Sequence, residues 1–277
     1  MGHRALMAAI VLALIVACGR DRQRRSITLG TTTSVGNSGL LDTLLPRFQQ
    51  QHGIAVRAHL VGSGLAVRML SRGDVDVVVS HAPSLETAAL RDRPGWRYRK
   101  IMYNDFVLTG PPDDPAHVGA SPTVEEAMRR IARSPVRFLS RGDESGTHQR
   151  EQELWALAGE RPSSERLVIA GAGMGSTLRV ASETGAYTLT DRATFGQLAS
   201  TLRLRILFEG GLRLLNTYAV IVNTQGPRAA DASAFAEWLT DGDGRRLTAE
   251  YRLPGGVPAF RVWPTGQARE NPADVPR

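Results

Sequence analysis

The first eighty residues alternate strand and helix patterns, and this alternation constrains the fold more than any other feature of the chain. Residues 27–30 (Ile-Thr-Leu-Gly) read as a short strand. Helical apolar spacing follows through Leu40, Leu41, Leu44, Leu45 and Phe48. Residues 54–61 alternate as a second strand. Gly62-Ser-Gly64 then opens a helix carrying Leu65, Val67, Met69 and Leu70, which Gly73 ends. Residues 75–79 read as a strand of the kind buried inside a parallel sheet. A β-α-β-α-β series of this kind calls for a parallel sheet with helices on its faces.

The pattern resumes downstream. Residues 106–108 are a strand, stopped by the rigid Pro111-Pro-Asp-Asp-Pro115. Residues 124–132 read as a helix, 136–139 as a strand and 151–158 as a helix. A glycine-rich stretch at 171–175 precedes a helix from Ser176. Residues 186–189 and 218–222 read as strands, and 235–251 as one closing helix. Two α/β segments emerge, with a crossing near 103–109 and a return near 214–222. The expected layout is a discontinuous lobe 1 (27–104 and 214–265), a lobe 2 (105–213) and an irregular tail (266–277). Hinge closure around a ligand is a known behaviour of such a pair.

The N-terminus sets the compartment. After His3 and Arg4 comes an unbroken apolar run, residues 5–17, too short for a stable span and suited to a signal segment. Small Ala17 stands directly before Cys18, the chain's only cysteine, which excludes an internal disulfide. The arrangement resembles a bacterial lipobox. It implies a signal peptide at 1–17, lipidation of Cys18 and a charged tether at 18–26 lying near anionic headgroups. The competing reading is a buried N-terminal helix with an incidental cysteine. The net charge is +7 and favours an anionic partner, whether a membrane surface, nucleic acid or a small anion. No basic stripe interleaved with aromatics points to nucleic acid.

Three hydroxyl- and glycine-rich turns each follow a strand and open a helix: Thr31-Thr-Thr-Ser34, Gly62-Ser-Gly64 and Arg141-Gly-Asp-Glu-Ser-Gly-Thr147. A helix N-terminus leaves backbone N–H groups unpaired and carries about half a positive charge. Ser and Thr hydroxyls add donors, and glycine lets the backbone approach closely, so such a turn can hold an anion without lysine. Taken singly, each turn is more simply a helix cap. Taken together, with Arg141 supplying a permanent charge and a fork of donors, they point to an oxyanion site. Open α/β sheets place ligands at this end of their strands. The ordinary alternative for Arg141 is a surface salt bridge, with Asp143 at hand.

Catalytic signatures are missing. Lys100 is the sole lysine and does not lie in a phosphate-binding loop motif. There is no His-Glu-x-x-His, no cysteine pair and no Gly-x-Ser-x-Gly. The chain therefore reads as a binding protein rather than an enzyme, with no cofactor and no resident metal.

Several stretches resemble TupA-type tungstate-binding proteins of ABC transporters, in that family's order over residues 27–260. They include Gly30-Thr-Thr-Thr-Ser34, Val61-Gly-Ser-Gly64, His81-Ala-Pro83, Ser140-Arg-Gly-Asp-Glu-Ser-Gly-Thr-His148, Gly171-Ala-Gly-Met-Gly175 and Ala186-Tyr-Thr-Leu-Thr-Asp-Arg192. Leu167-Val-Ile169 and Asn223-Thr224 depart from the family's pattern. The resemblance implies an α/β, two-lobed type II periplasmic-binding-protein fold, each lobe a mixed, mostly parallel sheet flanked by helices. It implies ligand roles for Thr32, Thr33, Ser34, Ser63, Arg141, Ser145, Gly146 and Thr147. It also implies an extracytoplasmic, monomeric lipoprotein that delivers tungstate or molybdate to an ABC permease. The alternatives are another tetrahedral oxyanion, such as sulfate or phosphate, and an oxyanion sensor. Phosphate binders resemble Ser-Asp-Ala-Pro where this chain has Ser80-His-Ala-Pro83, so a carboxylate that would accept phosphate's proton is missing there. His81 taken alone reads as a packing or capping residue.

Overall fold

The computed structural model describes residues 25–276. The expected signal peptide, Cys18 and most of the tether lie outside the described residues. Strand β1 (Ser26–Thr32) pairs in parallel with β2 (Ala55–Val61) and with β3 (Val77–Ser80). Between β1 and β2 run α1 (Thr33–Asn37) and α2 (Leu40–His52); α3 (Ser63–Arg72) links β2 to β3. Helix α2 buries Leu40, Leu44 and Phe48, one side chain every four residues. It stops at Gly53, whose positive φ of 67° favours glycine. Phe48 packs edge-on against Phe235 and Trp238, which fastens α2 to the helix at residues 229–240. Each such side chain, fully buried, contributes about 1.5–3 kcal/mol.

After α4 (Pro83–Arg91) the chain enters β4 (Trp96–Gly110), a 15-residue strand that serves two sheets. The second half of the chain supplies α5 (Val124–Arg133), β5 (Phe138–Ser140), α6 (Gly146–Ala158), β6 (Leu167–Ile169), α7 (Met174–Thr184) and β7 (Thr188–Asp191). Then come α8 (Arg192–Leu198), β8 (Arg205–Phe208), β9 (Leu215–Asn223), α9 (Ala229–Thr240), α10 (Asp243–Glu250) and the two-residue β10 (Arg261–Val262).

The first sheet has the order β10-β4-β9-β3-β1-β2. Up to Asp105, β4 pairs antiparallel with β9; from Phe106 it pairs antiparallel with β7, and from Leu108 with β8. Beyond β7 lies β5, bridged in parallel at Phe138–Tyr187 and paired in parallel with β6. Each sheet carries its own core. Leu29, Val77, Val79, Tyr218 and Phe235 belong to the first, and Phe106, Leu108, Ile131, Phe138 and Trp155 to the second.

Three features depart from the sequence reading. The parallel share is smaller than the βαβ series implies, because β4 and β9 cross between the segments and pair antiparallel. The closing helix is two helices, broken at Asp241-Gly242, where the Asp241 and Gly242 N–H groups bond back to Glu237 O. The tail after Pro264 is irregular but fastened. Lys100 N donates to Arg269 O at 2.8 Å, and the Lys100 ammonium bonds Pro272 O at 2.9 Å and sits 4.6 Å over the Trp263 ring. Burial lowers that ammonium's pKa to about 8.

Candidate oxyanion site

The three turns lie at the C-terminal ends of β1, β2 and β5, and they converge around the strand-to-helix turn after β3. His81, the first residue of that turn, donates its backbone N–H to Ser63 Oγ at 3.3 Å. The start of α6 presses on the other side of His81. A methyl at Gly146 would sit 2.5 Å from the His81 carbonyl oxygen, so only glycine permits the approach. A methyl at Gly62 would lie 3.4 Å from Asp143 O, and one at Gly64 would lie 3.5 Å from Glu144 O. The second and third turns are therefore in direct apposition. The first turn sits beside the second, since Thr32 is in register with Val61. It also reaches the other segment: Thr33 faces Gly173 at the start of α7, and Thr194 Oγ1 on α8 bonds Ser34 O at 3.5 Å.

Seven of the eight candidate residues are buried; Thr33 alone is partly exposed. Their hydrogen bonds show that capping and ligand donation need not compete. Thr32 Oγ1 accepts from Val35 N at 3.3 Å and caps α1. Ser145 Oγ accepts from His148 N at 3.2 Å and caps α6. Ser63 Oγ accepts from His81 N. In each case the oxygen is the acceptor, and the hydroxyl hydrogen is left over to donate. The N–H groups in the first turns of α3 and α6 add further donors. Ser34 engages through its carbonyl, which accepts from Ser38 N and Thr194 Oγ1.

Arg141 is 1% exposed. Its Nε donates to Ala172 O at 2.8 Å and its Nη2 pairs with Asp143, while Nη1 has no partner among the described residues. The salt bridge to Asp143 thus exists, but it is buried rather than superficial, and it orients the guanidinium instead of consuming it. Asp143 Oδ1 also accepts from Ser145 N at 3.2 Å, tying the two ends of the turn together. The loop is tight, with Gly142 at φ 59° and Glu144 at φ 55°. Thr147 Oγ1 is likewise buried without a partner. So is Thr31 Oγ1, a residue the sequence reading passed over in favour of its neighbours. A buried unpaired polar atom costs about 1–3 kcal/mol, so a cluster of them marks a place built for something else to bind.

His81 takes the packing role. Its ring stacks on Tyr218 with centroids 4.9 Å apart, and Phe106 lies 5.9 Å away. Asn216 Nδ2 donates to Asn104 Oδ1 and to the Tyr218 hydroxyl, which leaves Asn216 Oδ1 to accept from His81 Nδ1 at 2.8 Å. Burial pushes the imidazole down to about 4, so it is neutral over the physiological range. Glu86 fixes the same turn by accepting from Ala82 N at 2.8 Å, from the Tyr98 hydroxyl at 3.1 Å and from Ser80. Asp191, fully buried at the end of β7, acts on His81 electrostatically.

A cavity of about 600 Å³ lies apart from these turns and is lined by Tyr103, Asp105, Arg192, Leu212, Val257 and Phe260 among others. The donor cluster is instead closed over by protein. Among the described residues no group of His, Cys, Asp and Glu is placed to hold a metal ion, and no helix is long and apolar enough to cross a membrane.

Comparison with known proteins agrees with this architecture. Residues 20–243 match the PBP superfamily domain family. The chain is 38% identical over 248 residues to the tungstate-binding protein TupA of Peptoclostridium acidaminophilum, covering 87% of each chain. Among solved structures, it resembles the tungstate ABC transporter from Geobacter sulfurreducens at 38% identity and a TM-score of 0.74, covering 82% of this chain and 98% of that one. It also resembles the tungstate-binding protein TupA from Desulfovibrio alaskensis G20 at 36% identity and a TM-score of 0.69, covering 86% and 98%.

Proposed function

This chain belongs to the PBP superfamily, in the family of the TupA proteins, and from that premise we propose that it captures tungstate or molybdate and hands it to an ABC importer. The observation that carries the reading is Arg141 Nη1, buried and unpartnered, with Thr147 Oγ1 unpartnered in the same turn. A tetrahedral dianion placed there receives the guanidinium, the hydroxyl hydrogens of Thr32, Ser63 and Ser145, and amides from the starts of α3 and α6. These donors come from both sheets. We take residues 27–104 with 214–265 as one lobe and 105–213 as the other, joined where β4 and β9 pass between them. The anion bridges the lobes and favours the closed arrangement, because only that arrangement offers all its donors at once. Binding is the whole chemistry; the hydroxyls of Thr32, Ser63 and Ser145 are engaged by backbone N–H groups, and none of the three is paired with a base.

Calorimetry on the full-length chain in mild detergent, with tungstate, molybdate, sulfate and phosphate, tests the assignment. Tungstate and molybdate share size and charge and should bind tightly, and smaller sulfate more loosely. Tight phosphate binding without a tungstate response overturns the reading. The tether reading places the protein outside the cytoplasm as a monomeric lipoprotein held through Cys18. Cys18→Ala should release it from membranes, and continued retention contradicts the anchor.

A further inference from the structure

Among the buried atoms without a partner, one has the wrong polarity for an anion site. Thr31 Oγ1, Thr147 Oγ1 and Arg141 Nη1 can all donate; Asp191 Oδ2 is a carboxylate oxygen. Its position follows from the fold. Strand β7 runs alongside β5, with Leu139 N donating to Tyr187 O at 2.8 Å and Thr188 Oγ1 to Leu139 O at 2.8 Å. The two strands are parallel at Phe138–Tyr187, so Arg141 and Asp191 emerge at the same edge. Asp191 Oδ1 accepts from Thr194 N at 2.9 Å and caps α8. Thr194 in turn reaches Ser34 O in the first turn. Asp191 is therefore linked through Thr194 to the Thr31–Ser34 turn and lies within electrostatic reach of His81, at the edge where Arg141 emerges.

Its surroundings leave Oδ2 unsatisfied. From the β3 turn, His81 gives its Nδ1 hydrogen to Asn216. On β9, the Tyr218 hydroxyl accepts from Asn216 and feels the Asp191 charge. Following β5, Arg141 engages Ala172 O and Asp143. The adjacent Arg192 turns away to Asp105, at 2.6 Å, and to Glu209. Glu151 on α6 accepts from Ser140 Oγ at 2.9 Å and Trp155 Nε1 at 3.3 Å. None of these groups donates to Oδ2.

A dianion entering this site meets a buried carboxylate oxygen that has no donor of its own, and two acceptors brought together in a water-poor setting repel unless a hydrogen lies between them. Resting on the oxyanion reading above, we infer that Asp191 makes loading proton-linked: one proton from solvent enters with each tetrahedral dianion and is shared between Asp191 Oδ2 and an anion oxygen. No covalent bond to the central atom changes. The carboxylate, the proton and the dianion assemble into an O–H···O hydrogen bond, and the proton returns to solvent on release. Asp191 is thereby a specificity residue. It disfavours sulfate, which is too weakly basic to share that proton, and leaves rejection of the more basic phosphate to the fit of the site.

The test is calorimetry of sodium tungstate binding to the full-length chain in two buffers of different ionisation enthalpy, at several pH values. The wild type should take up about one proton per tungstate, and its affinity should weaken about tenfold per pH unit at the alkaline end. Asp191→Asn retains an oxygen to accept from Thr194 N, so α8 stays capped. It should bind tungstate with no proton uptake, an affinity flat with pH, and a gain in sulfate binding relative to tungstate. Circular dichroism and thermal unfolding check that it folds. Tight wild-type binding with no proton uptake overturns the inference. So does Asp191→Asn with undiminished uptake, which assigns the proton to another group such as Glu151. Wild type that binds none of the four oxyanions overturns the oxyanion reading itself.

Discussion

Replacing Arg141 by alanine should cost the site its permanent charge and also expose the charge that balances it. The guanidinium is buried, with Nη1 facing the donor cluster and Nη2 on Asp143. A hydrogen bond to a charged group contributes about 1.5–3 kcal/mol, which is about tenfold to 150-fold in Kd. The single variant also leaves the Asp143 carboxylate unpaired beside the incoming dianion, which moves the loss towards the upper figure or past it. Removing that carboxylate's charge should recover part of the loss. The expected order of tungstate affinity is wild type, then Arg141→Ala/Asp143→Asn, then Arg141→Ala alone. Asparagine keeps an acceptor for Ser145 N, so the turn is preserved. Asp143 retains 22% side-chain exposure, which limits the stability penalty of the single variant to about 3 kcal/mol or less. Calorimetry with tungstate and urea unfolding measure the two quantities separately. Unchanged affinity in Arg141→Ala refutes the site. A double variant that binds worse than the single refutes the account of Asp143 as a buttress.

Three further outcomes follow from the same geometry. His81 has a folded pKa of about 4 against 6.5 for the free group, so its contribution to stability is present above pH 6.5 and lost as pH falls towards 4. Urea unfolding should show His81→Asn losing up to about 3 kcal/mol less than wild type over that window, and parallel curves would exclude the residue. Glu151 behaves in the opposite sense. Burial raises it from 4.5 to about 7, so the folded state loses stability as pH rises through that range. Glu151→Gln should be more stable than wild type at pH 8, by at most about 3 kcal/mol, and show no gain at pH 4; a gain at pH 4 would point to some cause other than ionisation. Gly146→Ala places a methyl against the His81 carbonyl and should cost about 1–3 kcal/mol of stability and at least about tenfold in tungstate affinity. An unchanged melting temperature and affinity would mean that the start of α6 does not need to press on the turn after β3.

The parts of this protein legible in the sequence were those governed by local rules. Apolar spacing located α2 and α3, and Gly73 marked the end of α3, where its positive φ of 78° is what a helix stop requires. Ser and Thr before helices marked Thr32 and Ser145 correctly as caps, and the same residues were nominated as donors. Other features depend on distant partners. Strand β6 is three residues long and half-exposed, so its Leu-Val-Ile carried no period to read. Residues 96–105 of β4 carry arginines and a lysine between apolar positions, and their partner in β9 lies more than a hundred residues away. Thr31 was indistinguishable from its two threonine neighbours, because only the strand pairing decides which hydroxyl is left unpaired. Asp191 was quoted within a motif but given no role, since its proximity to His81 and Arg141 arises from the β5–β7 alignment.

The hydrogen bonds described at Thr32, Ser63 and Ser145 bear on what the proposed site can refuse. A bare hydroxyl is electrically ambivalent: rotated one way it solvates an anion, rotated the other way a cation. At these three positions a backbone N–H already holds an oxygen lone pair, so rotation is restrained and the hydrogen is turned outward. Ambivalence is removed before any solute arrives. A cation approaching these three hydroxyls would meet their positive poles. The entropy of orienting those hydroxyls is spent during folding rather than during the proposed capture.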